Sequence, residues 1–466
     1  MSPPKWNELQ ERLLKEFLLA RIIVRNTTPV IIGGYNAKPY SHVLDLMEEP
    51  RPTEIKGLWR WWARALVSGA LLKNNNVITI DKADELISHI LGGVIKGRNV
   101  PSKIAIKVKV LESSVRVLDN KEIERISRLK LLSQDIKNLP EREREKALKE
   151  RFSVYDTLKL RIDLYSYEDI EGKVKSDYAF AVASLIFSLV FSGLGAITTR
   201  AFGSLNVERI ELGYPIRDYM KDYCKCVLRI YHTNENIQEC IWELIRKSLD
   251  YASEFLRNFK ELSVERVSQV ALPSIPSVIT NRAHVFRLEV RLCRNRNATR
   301  LLEVIGNAVL KQNMKRDRRA RGVDIHTFIL GLPRSSNIPY GRSGTLKTGY
   351  VVLKSGRRPR CGRVVQGNAQ YARNSLDKEK TDKLRRLSAI GFTVLRVSPQ
   401  PLVLVYGMLA NDIDDLKRDL VHRGVIGKAG RRGYVNKVID TSLCNVDIIQ
   451  EFDKLWKCII TILGRC

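Results

Sequence analysis

Histidine is scarce in this chain, and acid runs short against base. Six histidines are spread over 466 residues, and Asp plus Glu number 51 against 80 Lys plus Arg. No two of the eight cysteines form a CxxC pair. That excludes the usual zinc modules and gives no sign of a secreted disulfide framework, so reduced cysteines in a cytoplasmic protein are expected. A GxxxxGK[ST] loop is missing, which excludes P-loop nucleotide hydrolysis, and no acidic cluster points to a metal-dependent nuclease. No metal and no cofactor are therefore expected. Met1 to Leu19 carries Glu and Lys throughout and reads as an amphipathic helix rather than a signal peptide. The charge-free run Tyr178 to Thr199 is long enough to span a bilayer, but Ser184, Ser188, Ser192, Gly193 and Gly195 interrupt it. It reads as a buried helix ending in a glycine loop, and no membrane contact is expected.

What the chain has is base. The net charge is +29, beyond what solubility requires, and it implies a polyanionic partner, nucleic acid ahead of a lipid surface. Length and a hydrophobic fraction of 44% allow two or three domains with real cores.

The most informative stretch is Pro52 to Leu66, PTEIKGLWRWWARAL. Pro52 and Thr53 open a helix, with Thr53 as its cap and Glu54 on the favourable end of the dipole. Ile55, Leu58, Trp59, Trp62, Ala63, Leu66 and Ala70 share one helical face and read as core. Lys56, Arg60 and Arg64 stack four apart outside it, with Gly57 and Trp61 also turned away. A tryptophan beside cations, over a glycine that admits a close ligand, suits base stacking with phosphates held alongside. The alternative for Trp61 is cover by a loop or cation–π contact with Arg60 or Arg64.

Coarse patterning gives strands at Ala20–Ile32, Lys103–Val117, Val154–Tyr165 and Asn206–Leu212, with helices at about 52–73 and 176–192. The order β-α-β-β-α-β is ferredoxin-like. Asp119–Arg151 reads as a charged helical insertion, Val227–Tyr231 as a strand carrying on from Cys224 and Cys226, and Gln238–Phe255 as a helix. Pro273 and Pro276 mark a linker. Beyond it come a strand at Val285–Leu292, a helix at Thr299–Met314, the cluster Lys315, Arg316, Arg318 and Arg319, and a strand at Thr327–Leu332. Ser335–Gln370 is glycine-rich and basic and reads as a loop that orders on a polyanion. Strands at Phe392–Val397 and Leu402–Tyr406 and helices at Asp412–Val421 and Val446–Leu463 follow, so the second half repeats the first. The fold class expected is α+β, two tandem ferredoxin-like domains over 1–270 and 271–466, with antiparallel sheets and helices on one face.

The loop Gly193 to Leu205, GLGAITTRAFGSL, joins the buried helix to a strand. Glycines such as Gly203 let backbone approach a ligand, while Arg200 adds charge and Phe202 an apolar anchor. A plain turn with Phe202 in the core is the other reading.

Together these features resemble the RAMP superfamily of CRISPR-associated RNA-binding proteins. The strand end Thr28-Pro29-Val30-Ile31-Ile32-Gly33-Gly34, the segment Ile55 to Leu66 and Arg200-Ala201-Phe202-Gly203-Ser204-Leu205 are similar to the first-numbered RAMP subunits of type III-B (Cmr) effector complexes. Arg385 to Phe392 is similar to a further family segment, though proline is expected where Ala389 stands. The resemblance implies a tandem RAMP fold that is not itself the nuclease and sits near the 3′ end of the guide. CRISPR RNA, target RNA and the other Cmr subunits would be its partners. Carried over, Arg51, Lys56, Gly57, Arg60, Trp61, Arg64, Arg200 and Gly203 would line the RNA groove, with Lys315, Arg316, Arg318 and Arg319 as a second patch. Two alternatives stand beside it. One is a metal-independent endoribonuclease using His42 with Tyr35, Tyr40 and a lysine. The other is a structural subunit docking on acidic proteins.

Overall fold

A computed structural model describes residues 17–33, 38–95, 97–137, 139–167, 175–233, 236–259, 262, 264–294, 296–310, 327–330, 336–340, 344–353, 365–367, 381–382, 388–411, 420–426, 437–442 and 446–464. The chain is a mixed α+β protein whose sheets pair antiparallel.

Strand β1 (Leu18–Asn26) alternates Ala20, Ile22 and Val24 on a buried face with Arg21 and Arg25 on the other. Helix α1 (Pro52–Leu72), α2 (Ile80–Leu91), strand β2 (Ile104–Val117), the short helices α3 (Asn120–Arg125), α4 (Ser127–Leu132) and α5 (Glu141–Phe152), strand β3 (Ser153–Ser166), helix α6 (Lys175–Phe191) and strand β4 (Leu205–Leu212) follow. The sheet order is β2-β3-β1-β4, with Val24 opposite Leu160 on one side and Val207 on the other. This is the strand order of a ferredoxin-like β-α-β-β-α-β unit. Helices α7 (Arg217–His232) and α8 (Ile237–Leu256) pack beside it, with Phe255 stacked on Phe180 at 4.6 Å.

The second half runs β5 (Phe286–Leu292), α9 (Ala298–Ala308), β6 (Ile390–Arg396), β7 (Leu402–Met408) and α10 (Ile448–Leu463), with strand order β5-β7-β6. Among the described residues no fourth strand joins it. Asn297 caps α9 through the Arg300 amide, and Asp447 caps α10 through those of Ile449 and Gln450. Small hydroxyls join the halves: Thr27 Oγ1 donates to the Val394 carbonyl at 2.5 Å, Ser204 Oγ accepts from Val394 N at 3.0 Å, and Thr393 Oγ1 donates to the Phe191 carbonyl at 2.9 Å.

Several expectations change. Val227–Tyr231 is helix, because Met220, Tyr223, Cys224, Val227 and Ile230 are buried at helical spacing and a short apolar run does not reveal its period. Thr327–Leu330 is a 3-10 turn, not a strand. The described parts of Ser335–Gln370 are strands, not loop. Ser336–Tyr340 pairs with Gly344–Leu353, which pairs with Leu420–Ile426, and Val365–Gly367 pairs with Lys437–Ser442. Leu420 and Val421 thus belong to a strand, while 412–419 lie outside the described residues. The Pro273–Pro276 segment is packed structure: Asn411 N donates to the Pro273 carbonyl, Val278 N donates to the Ala65 carbonyl, and the Ser277 and Ser68 hydroxyls meet at 2.6 Å. The charged insertion buries Ile123, Ile126, Leu129 and Ile136 in the main hydrophobic core. Cys224, Cys226, Cys240 and Cys458 are reduced thiols, as expected, whereas Cys293 is disulfide-bonded, since pairing follows spatial proximity that spacing does not report. Burial pushes the Cys224 and Cys226 thiols up to about 12. No helix among the described residues is long and apolar enough to cross a membrane.

Candidate nucleic-acid interface

Helix α1 divides as its periodicity predicts. Ile55, Trp59, Trp62, Ala63, Leu66 and Ala70 are buried. Trp59 Nε1 donates to Ser184 Oγ at 2.8 Å and Trp62 Nε1 to Ser192 Oγ at 2.6 Å, so serines of α6 satisfy both indoles. Trp62 sits between Phe187 at 5.2 Å, Phe191 at 5.4 Å and Tyr406 at 5.4 Å, which ties the helix to both halves. Thr53 does not cap the helix. Pro52 takes the first helical position, so Arg51 is the N-cap, and its guanidinium, which has no acceptor, makes no side-chain cap bond.

The outer arc is less free than its spacing implies. Arg64 Nε lies 3.3 Å and Arg60 Nη2 3.5 Å from the Asp84 carboxylate of α2. Arg60 also donates to Ser88 Oγ at 3.1 Å and to the Gly92 carbonyl. Trp61 is half-buried, its ring edge-on to Trp62 at 4.7 Å and 83°. Lys56 has no carboxylate partner among the described residues, and burial, with Arg60 nearby, lowers its ammonium below the usual range. Gly57 is exposed with open space where a side chain would stand. Arg51 donates to the Gly33 carbonyl at 2.9 Å and stays exposed.

The glycine loop uses its freedom on its own chain. A Cβ on Gly203 would stand 2.0 Å from the Leu194 carbonyl oxygen, and one on Gly195 2.1 Å from that of Ile31. Gly203 is buried at φ +65°, and its N–H donates to the Pro29 carbonyl. Ile197 and Ala201 are also left-handed, at φ +64° each, unusual for residues with a Cβ and above all for a β-branched one. Phe202 is core. Arg200 turns inward: it donates to the carbonyls of Leu330 at 2.9 Å and Ile390 at 3.1 Å, over the Phe392 ring. Burial, with Arg128 nearby, lowers its guanidinium to about 10. The Glu54 carboxylate lies beside the Gly195 N–H, with one buried oxygen left without a partner, so the strand end at Gly33, the start of α1 and the glycine loop meet at one place.

Lys315, Arg316, Arg318 and Arg319, like Tyr35, lie outside the described residues. His42 Nε2 donates to the Lys146 carbonyl at 3.1 Å, and its ring is edge-on to Tyr40 at 5.0 Å. Lys149 Nζ donates to Tyr40 Oη at 2.7 Å, and Tyr40 donates to Asp45. The residues that sequence reasoning missed are Asp84 and the serines of α6, none of which carries a signal beyond its place on a helix.

Residues 24–206 match the family model of the RAMP superfamily. A 250-residue alignment at 26% identity relates the chain to the CRISPR system CMR subunit Cmr1 of Saccharolobus solfataricus. This chain resembles Cmr1. The alignment covers 53% of the chain and 48% of that protein, so the chain spans about half the length of the curated relative it matches. Two cryo-EM structures of a type III-B Cmr-beta complex contain a chain of like fold. One complex is bound to cognate target RNA and AMPPnP in the presence of ssDNA (TM-score 0.56, 16% identity, 96% of this chain and 100% of that one). The other is bound to cognate target RNA (TM-score 0.55, 15% identity, 95% and 100%). The RAMP match runs from β1 into β4 and so contains the three blocks that meet beside Gly33.

Proposed function

We propose that this protein is a non-catalytic RNA-binding subunit of a type III-B Cmr effector complex, placed near the 3′ end of the guide RNA and helping to capture target RNA. It takes CRISPR RNA, target RNA and neighbouring Cmr subunits as partners, and divides near residue 270 into two RAMP-like units. The observation that carries this reading is the Cmr1 resemblance together with the excess of base, +29. The start of α1, with exposed Arg51 and Gly57 and half-buried Lys56, supplies phosphate contact there, beside the half-buried Trp61. Arg60 and Arg64 keep part of their charge outward while Asp84 holds them in place. Arg200 and Gly203 shape the loop behind that surface, and the cluster 315–319 supplies a second basic patch.

The test is a salt titration of affinity for single-stranded RNA. Phosphate-dominated binding falls steeply and log-linearly with salt, and salt-insensitive binding would overturn the reading. The Tyr40, His42 and Lys149 group favours one competing reading, a metal-independent ribonuclease. Cleavage of a repeat RNA by purified protein in chelator, abolished by His42→Ala, would establish it instead.

A further inference from the structure

The four-stranded sheet buries one face and turns the other outward, and the outward face is built from charge. In register across β2, β3, β1 and β4, one row reads Lys107, Asp163, Arg21, Glu211 and the next Lys109, Arg161, Ile23, Arg209. The first row is an ion ladder. Asp163 lies 2.9 Å from Arg21 Nε and 3.2 Å from Arg161 Nε, and Glu211 lies 2.5 Å from Arg209 and 3.7 Å from Arg21. Each acid is thus shared between two arginines. The second row contains no acid. Lys109 stands directly opposite Arg161 on the neighbouring strand, a like-charge pair that costs stability. Lys107 and Lys109 are exposed and have no carboxylate partner among the described residues. The β1–β4 register shifts between Ile23 and Val24, and beside that bulge Arg209 is 66% exposed. Bulges of this kind re-aim side chains next to functional sites. At the end of β3, Tyr167 is 67% exposed, two positions along from Tyr165.

We propose that this face is a second RNA surface: Lys107, Lys109, Arg161 and Arg209 take phosphates of a single strand, and Tyr167 stacks on a base. Arg161 and Arg209 are already paired with Asp163 and Glu211 of the first row, whereas Lys107 and Lys109 have no carboxylate among the described residues, and a phosphodiester backbone supplies the counter-charge that they lack. A stacking ring at the border favours RNA over an acidic protein surface. The proposal deepens the RNA-binding reading above and rests on it.

The experiment measures affinity of the full-length protein for a labelled single-stranded RNA of mixed sequence across a salt series. Lys107→Ala/Lys109→Ala is expected to keep the wild-type melting temperature and to flatten the slope of log affinity against log salt by about 1.4, two single-strand contacts. Glu112→Gln removes a 53% exposed acid from the same face and is expected to tighten binding. Tyr167→Ala is expected to lose about tenfold in affinity with the slope unchanged. If wild-type protein binds RNA and the lysine pair changes neither slope nor affinity, this inference is overturned while the RNA-binding reading stands. If wild-type protein does not bind RNA, both fall. If the lysine pair leaves RNA binding intact but blocks assembly with purified Cmr subunits, the face belongs to an acidic protein and the proposal is wrong.

Discussion

The Asp84 carboxylate lies 3.3 Å from Nε of Arg64, so a stripe of cations that sequence spacing turns outward is fastened to the next helix. Arg60 shares the same carboxylate and adds bonds to Ser88 and Gly92. Replacing Arg60 and Arg64 with alanine is expected to cost about 1–2 kcal/mol, part-exposed ion pairs contributing little and the bonds at Ser88 and Gly92 most of it. Denaturant unfolding of the double variant checks this. Unchanged stability would mean that the contacts with α2 are incidental.

Trp62 is fully buried between α6 and β7. Trp62→Ala is expected to destabilise the protein by about 3–5 kcal/mol, as large-to-small changes in a packed core do. Because its ring touches Tyr406 as well as Phe187 and Phe191, one cooperative transition should move to lower temperature. Two separate transitions in calorimetry, with only one shifted, would show that the halves unfold independently.

The glycines give opposite signs. Gly203→Ala places a methyl 2.0 Å from the Leu194 carbonyl oxygen at φ +65°. It is expected to cost more than about 2 kcal/mol, from the left-handed penalty with the clash added. Gly57→Ala meets open space inside a helix and is expected to gain about 0.5–1 kcal/mol. If RNA uses the bare backbone at Gly57, the same stabilised variant binds RNA more weakly. Equal affinity would remove Gly57 from the interface.

Glu54 supplies a pH signature. Burial raises its carboxyl above the ordinary value, against the Gly195 amide and the charge of Arg51. In the unfolded chain it titrates near ~4.3. Below that pH both states hold the proton and nothing is lost. As pH climbs from there through the raised folded-state value, the folded protein is penalised for ionising, and above it the penalty is constant. The melting temperature of Glu54→Gln should therefore gain on wild type across that window and hold its lead at neutral pH. Parallel curves would show that the carboxylate is solvated.

Much of this architecture is legible in the chain itself. The period of Ile55 to Ala70, the alternation in Leu18–Asn26 and Ile104–Val117, and the charge-free run of α6 each record which side of an element meets water, and burial follows them. The order of those elements, with the Trp-rich helix and the glycine loop, was enough to reach the RAMP resemblance. Local pattern carries no record of partners distant in sequence. That Arg200 faces Leu330 and Ile390, that Gly195 and Gly203 admit the chain's own carbonyls, and that Asp84 takes two of the helix cations were decided by packing. So was the row of Lys109, Arg161 and Arg209, three residues far apart in sequence that strand register alone brings side by side around Ile23. Periodicity fixes which way a side chain points within its own element, and tertiary contact decides whether a charge pointing outward meets solvent, a carboxylate or a carbonyl.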